Sequence, residues 1–185
     1  QKNREVGHSK IKNSIGNWES GIGNYKVVAN IPYYLTSPLI RKFLELNNPP
    51  AEMILMLQKE VAQRICAKPG DMSLLAVSVQ FYAEPKIVSY VSKSCFWPSP
   101  KIDSAIIRIS NIKKQDEKIA KNFFTIVKAG FSQPRKQLAG NLSKILKLDK
   151  KNTDAWLLKN GINPTQRAET LSVAEWENLT KTFKQ

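Results

Sequence analysis

A carboxamide, a rigid imino acid and a flat ring occur together in the run Asn30-Ile31-Pro32-Tyr33-Tyr34. The run directly follows an apolar segment, Tyr25-Lys26-Val27-Val28-Ala29, that reads as a strand. Asn30 offers an acceptor oxygen and two donor hydrogens. Pro32 is rigid and restricts Ile31 to an extended conformation, which leaves carbonyls of the turn free to point outward. Tyr33 supplies a ring on which a planar heterocycle can stack. Together these groups suit an exocyclic amine that must be held and oriented. A strand-end turn that happens to contain Asn and Pro fits the same five residues, because short motifs recur by chance.

Four further stretches carry residues at informative spacing. Phe96-Trp97-Pro98-Ser99-Pro100-Lys101-Ile102-Asp103-Ser104 places two aromatics between strand candidates, stiffened by two prolines. It suits a second wall of a base pocket, since extruded bases sit between aromatic or apolar side chains. It equally suits a proline-rich connection whose aromatics belong to the core. In Phe131-Ser132-Gln133-Pro134-Arg135-Lys136-Gln137-Leu138, Ser132 is expected to cap a helix running from Pro134 onward. Arg135 and Lys136 then fall near a helix N-terminus, where positive charge is unfavourable, so phosphate contact competes with an ordinary basic turn as their explanation. Gln58–Ile65 spans a strand end and a helix start, with Glu60 and Arg64 at i,i+4 spacing for a surface ion pair. Gly21-Ile22-Gly23-Asn24 precedes a strand where a nucleotide-binding glycine loop must follow one, and reads as a turn.

Composition narrows the partner class. The 185 residues carry a formal net charge of +14, and 42% are hydrophobic, enough for a packed core. Residues 111–185 hold 15 basic and 7 acidic side chains, the denser positive charge of the two parts. Such a balance points to a polyanion, nucleic acid above all. His8 is the only histidine, which argues against a zinc site or a His-based triad; no metal is expected. Cys66 and Cys95 lie far apart and read as small core residues of a reducing compartment, the cytoplasm. No apolar run approaches the roughly 20 residues of a membrane span, and no signal peptide is evident. A first residue Gln1, where Met would stand, predicts a fragment or a processed product.

The elements that must position these groups follow from periodicity. Residues 1–24 are polar and read as an irregular lead-in. A strand over 26–30, a helix over 37–46, a strand over 52–58 and helices over 59–67 and 72–83 come next. Strands over 86–91 and 105–109 complete an α/β domain, with a parallel sheet and a late hairpin. The segment EMILMLQ lacks polar alternation and predicts a strand buried on both faces. After residue 112 the pattern is helical throughout, over 117–130, 135–148, 152–160 and 172–183, with Gly161 and Pro164 ending the third helix. The expected division is 1–112 and 113–185.

Taken together, these stretches resemble the rRNA adenine N6-dimethyltransferase family, and its bacterial small-subunit (16S) branch, whose loss gives kasugamycin resistance. The matching pieces are NIPYY at 30–34, LTSPLI at 35–40, LQKEVAQRICAKPG at 57–70 and the run at 73–109. FSQPRKQLAGNL at 131–142 and GINPTQRAETLSVAEWENL at 161–179 match as well. The resemblance runs from about Tyr25 to Phe183, and the tail is similar to the small helical domain of this branch, not of the antibiotic-resistance large-subunit one. It implies the C-terminal part of a Rossmann-like class I methyltransferase sheet followed by a small all-α domain. It also implies S-adenosylmethionine-dependent dimethylation of two adjacent adenines near the 3′ end of small-subunit rRNA. The partner would be that rRNA or a precursor of the small ribosomal subunit.

By the same resemblance, Asn30 and the backbone of Ile31 and Pro32 would accept hydrogen bonds from the adenine amine, with Asn30 also beside the cofactor. Tyr33 would stack on the adenine and Phe96 would close the pocket. Lys101, Arg135 and Lys136 would grip RNA phosphates, which gives affinity and register but little sequence choice. The family's glycine loop and its acidic cofactor ligands lie well before NIPYY, and only 29 residues precede Asn30 here. The chain is therefore expected to lack most of the donor site and to be inactive by itself. Strand 26–30 is expected to be an exposed edge open to self-association. Two other readings stand beside this one. One is a non-catalytic nucleic-acid-binding relative that works in ribosome assembly or transcription. The other is a DNA adenine methyltransferase, against which the single proline and the helical tail argue.

Overall fold

The computed structural model describes residues 25–183, without the side chain of Tyr33. The lead-in 1–24 and its Gly21–Asn24 turn, with His8, lie outside the described residues. The first half alternates strands and helices: β1 (Lys26–Asn30), α1 (Thr36–Leu44), β2 (Glu52–Gln58), α2 (Lys59–Ile65), α3 (Leu74–Gln80), β3 (Glu84–Val91) and β4 (Ser104–Ser110). The second half is helical: α4 (Glu117–Gly130), α5 (Leu138–Leu146), α6 (Lys150–Lys159) and α7 (Val173–Thr182).

The strands form a mixed sheet in the order β1-β2-β4-β3. β1 runs parallel to β2, with Asn30 opposite Met56. β4 inserts antiparallel between β2 and β3, with Gln58 opposite Ser104 and Val91 opposite Ser104 on its other side. The expected parallel sheet is thus limited to one pair, and the expected hairpin is the β3–β4 pair. β2 is not buried equally on both faces. Met53, Leu55 and Leu57 are fully buried, whereas Glu52, Ile54, Met56 and Gln58 are half-buried. Only one face of the strand is sealed, so an apolar run without polar residues still alternates in burial.

An ionic clamp ties three strands at the far end from Asn30. Glu52 of β2 accepts a hydrogen bond from Arg108 of β4 and pairs with Lys26 of β1 at 3.5 Å. The Arg108 hydrogen bond, reinforced by the charges of Arg108 and Lys26, holds the Glu52 carboxyl below its ordinary value.

Sheet and helices meet at an aromatic cluster. Phe81 stacks on Phe123 of α4 with ring centroids 3.9 Å apart, and Phe124 lies edge-on to Phe81 at 5.5 Å. Lys113 donates its backbone N–H to the Tyr82 carbonyl at 2.8 Å, which seats the connection into α4. Among the helices, Trp176 of α7 is fully buried against Gly130, the last residue of α4. A Cβ on Gly130 would stand 2.3 Å from the indole ring.

Helix starts differ from expectation where the cap is not local. α4 begins where expected, because Asp116 accepts from the N–H groups of Lys118 and Ile119. α5 begins at Leu138, not near Pro134, and Ser132 is not its cap. The carbonyls of Gln166 and Pro164 receive the N–H groups of Leu138 and Ala139 instead. Cys95 is exposed, against the expectation that both cysteines are core residues. It sits in the connection between β3 and β4, which stands off the sheet. Cys66 is half-buried, and burial pushes its thiol above its ordinary value.

Two outcomes follow. Gly130→Ala should destabilise by about 1–3 kcal/mol through overpacking. A helical Gly→Ala change without that clash would instead stabilise by roughly 0.5–1 kcal/mol, so the sign of the shift in thermal unfolding decides. Because the Glu52 carboxyl is depressed in the folded state, its contribution is complete above the ordinary carboxylate range and is lost as pH falls through the folded value. Glu52→Gln should flatten that acid-side loss in a pH series of denaturation midpoints; an unchanged profile would contradict the clamp.

Candidate functional site

The end of the sheet where β1 and β2 finish gathers most of the predicted groups. Asn30 closes β1 and is exposed, and its carboxamide has no partner among the described side chains. Ile31 donates its N–H to the Met56 carbonyl at 3.1 Å and buries its side chain in the core. Only the backbone of Ile31 can therefore face a ligand. Its carbonyl accepts no backbone hydrogen bond among the described residues. The Pro32 carbonyl does not share that freedom. It accepts the Leu35 N–H at 2.9 Å and closes the 3-10 turn Tyr33–Leu35 that feeds α1. The Ile31 carbonyl is thus open, next in the chain to the exposed Asn30. Two acceptors side by side can hold the two hydrogens of a primary amine. The Tyr33 ring lies outside the described structure, so its expected stacking stands as an expectation.

The β3–β4 connection reaches the same end through the β2–β4 register. Lys59, the first residue after β2, donates its N–H to the Asp103 carbonyl at 3.1 Å. The Lys59 ammonium also pairs with the Asp103 carboxylate at 3.8 Å and lies 5.4 Å from the Tyr90 ring centroid. Within the connection, Lys93 donates its N–H to Asp103 at 3.1 Å and Ser99 donates its hydroxyl to the Lys93 carbonyl at 2.9 Å. Phe96 is half-buried, while Trp97 and Lys101 are exposed. Lys59, Lys93 and Lys101 border an open groove of about 340 Å³. Glu60 lines this groove and Arg64 a different one, and no ion pair joins them among the described residues. The expected Glu60–Arg64 pair is absent because the two exposed side chains face different grooves.

Arg135 and Lys136 lie elsewhere, in the turn between α4 and α5. Both are exposed and share a groove of about 600 Å³ with Lys144 and Arg167. Asn141 builds this turn. Its buried amide donates to the Gly130 carbonyl at 2.7 Å and to the Gln133 carbonyl at 2.9 Å. Sequence reasoning missed Asn141, Lys144 and Arg167. For Asn141 a signal existed, a poor helix former in mid-helix within an apolar setting.

Gly70, Gly130, Gly140 and Gly161 are the described glycines, and none follows a strand and opens a helix. A glycine loop able to carry S-adenosylmethionine is therefore not among the described residues. No His, Cys, Asp or Glu cluster able to hold a metal is found among them either.

A family model described as "Ribosomal RNA adenine dimethylase" matches residues 10–185. The chain belongs to this family. It is 45% identical over 159 residues to ribosomal RNA small subunit methyltransferase A of Dehalococcoides mccartyi (strain CBDB1), covering 84% of this chain and 54% of the relative. The protein of the same name from Geobacillus kaustophilus (strain HTA426) is 41% identical over 167 residues, covering 85% and 56%. The chain thus spans about half the length of these curated relatives. A crystal structure of a dimethyladenosine transferase from Plasmodium falciparum superposes with a TM-score of 0.70 at 25% identity, covering 89% of this chain and 69% of that one. The 23S rRNA methyltransferase ErmE gives 0.67 at 22% identity, covering 85% and 64%, a likeness of fold. The architecture is therefore an α/β methyltransferase fold. Family membership implies S-adenosylmethionine as methyl donor.

Asn141→Ala should cost about 1–3 kcal/mol, because the buried Gly130 carbonyl and the Gln133 carbonyl lose their donor. Amide exchange across residues 131–137 should accelerate with it. Unchanged exchange in that turn would contradict the bracing role.

Proposed function

We propose that this chain forms the adenine-binding and RNA-holding part of an enzyme that dimethylates the N6 amines of two adjacent adenines near the 3′ end of small-subunit rRNA. The observation that carries the reading is the exposed Asn30 carboxamide beside the open Ile31 carbonyl, at the end of a strand in a member of this family. Two acceptors on one amine fix its orientation and aim its lone pair away from the protein, toward a methyl donor. Holding the nucleophile in a near-attack geometry is the main contribution such a site makes. Pro32 stiffens the turn, Tyr33 stacks on the adenine and Phe96 closes the pocket.

Lys101, Arg135 and Lys136 take phosphates, with Lys144 and Arg167 beside the latter pair. Residues 1–112 act as the methyltransferase part and 113–185 as the rRNA-holding part. S-adenosylmethionine is bound chiefly by groups other than those described, and the described residues by themselves do not methylate. No described helix is long and apolar enough to cross a membrane, and the site of action is cytoplasmic rRNA or a small-subunit precursor. β1 has a strand partner on one side only among the described residues, and Val28 on it is 77% exposed. Self-association through this edge accompanies the reading.

The test uses two RNA fragments of the small-subunit 3′ end, one with ordinary adenines and one with N6,N6-dimethyladenines. Dimethylation removes both amine hydrogens, so the second fragment should bind roughly 2- to 10-fold more weakly, as expected for one or two lost hydrogen bonds. Asn30→Ala should shrink that difference. Equal affinity of the wild-type chain for both fragments would sink the amine-holding role.

A further inference from the structure

Trp97 is 98% exposed, the most exposed of the large apolar side chains among the described residues. Tryptophan is highly buried on average, so an indole left wholly in water calls for a partner. Nothing about Trp97 reads as fraying. The connection that carries it is closed by hydrogen bonds on both sides. Cys95 and Phe96 donate their N–H groups to Ser92 and Lys93, and Ser99 reaches back to the Lys93 carbonyl. Asp103 then fastens Lys93 to the end of β2 through Lys59. The ring is displayed on a braced platform.

The surroundings state the chemistry of the partner. Lys93 and Lys101 lie in the same connection and border a groove with Lys59, Glu60 and Asp103, and Tyr90, 53% exposed, lies under Lys59. A flat aromatic set among cations suits a stacked base flanked by phosphates. An apolar protein partner would leave Lys93 and Lys101 unanswered, whereas Lys59 already pairs with Asp103. The register places this platform at the sheet end that carries Asn30.

We propose that Trp97 is a stacking platform for an unpaired nucleotide of the bound RNA, other than the adenine held at Asn30, with Lys93 and Lys101 on its flanking phosphates. The inference rests on the RNA reading given above. It adds a contact that positions the strand next to the target base.

The experiment titrates the 185-residue chain with a single-stranded RNA of about ten nucleotides, at several salt concentrations. Trp97→Ala should weaken binding about tenfold. It should leave the slope of log K against log salt unchanged, because stacking releases no counterions. Trp97→Phe should restore most of the affinity. Lys101→Ala should instead lower the slope by about 1. RNA should quench the tryptophan fluorescence of the wild-type chain, and Trp97→Phe should remove most of that quenching. RNA binding that Trp97→Ala leaves within twofold overturns the stacking platform alone. Absence of any RNA binding by the wild-type chain overturns it together with the reading on which it rests. Quenching that follows protein concentration and not RNA would seat a second copy on Trp97, and would overturn it as well.

Discussion

Strand β2 is the constraint on which the arrangement depends. Its parallel register with β1 brings Asn30 level with Met56, and its antiparallel register with β4 brings Gln58 level with Ser104. Those two registers place the turn after β1 and the whole β3–β4 connection at one sheet end. A slip of one residue on either side would turn Met53, Leu55 and Leu57 from the sealed face to the half-buried one. Burial of these three side chains therefore fixes the site's geometry as well as its stability. The Lys26–Glu52–Arg108 clamp secures the opposite end of the same strands.

The helical half depends on a different contact, the close approach of Trp176 to Gly130. With no side chain at residue 130, the end of α4 can lie against the indole, and the chain turns at once into residues 131–137. Asn141 then braces that turn by its two carbonyl contacts, and the Pro164–Gln166 segment caps α5. The cations Arg135, Lys136 and Lys144 come from this braced turn and helix, and Arg167 follows the capping segment. Their grouping is a consequence of packing between segments distant in the chain. The Phe81–Phe123 stack joins this half to the sheet.

Features governed by neighbours in sequence were readable without coordinates. β1 and β2 fall where apolar runs between turn residues placed them. α4 starts at its Asp116 cap and ends where its apolar period ends. NIPYY sits at a strand end, as its composition implied. Features governed by distant partners were not readable. The start of α5 depends on carbonyls distant in the chain, Gln166 for the Leu138 N–H and Pro164 for the Ala139 N–H, 28 and 25 residues away. The insertion of β4 between β2 and β3 is a matter of topology, which strand patterns do not encode. Exposure of Cys95 and Trp97 reflects a connection that stands clear of the sheet, whereas their residue types alone favour the core. The freedom of the Ile31 carbonyl, and the engagement of Pro32, hinge on a turn hydrogen bond that a five-residue motif does not specify.

The division of labour between acceptor and donor groups is the central claim, and calorimetric titration of the folded chain with S-adenosylmethionine tests it most directly. No binding heat is predicted while RNA still binds, because the proposed role of the described residues is to hold the adenine and the phosphates, and no glycine loop for a nucleoside donor lies among them. Clear one-to-one binding of S-adenosylmethionine would contradict it, and would place a working donor site within these 185 residues.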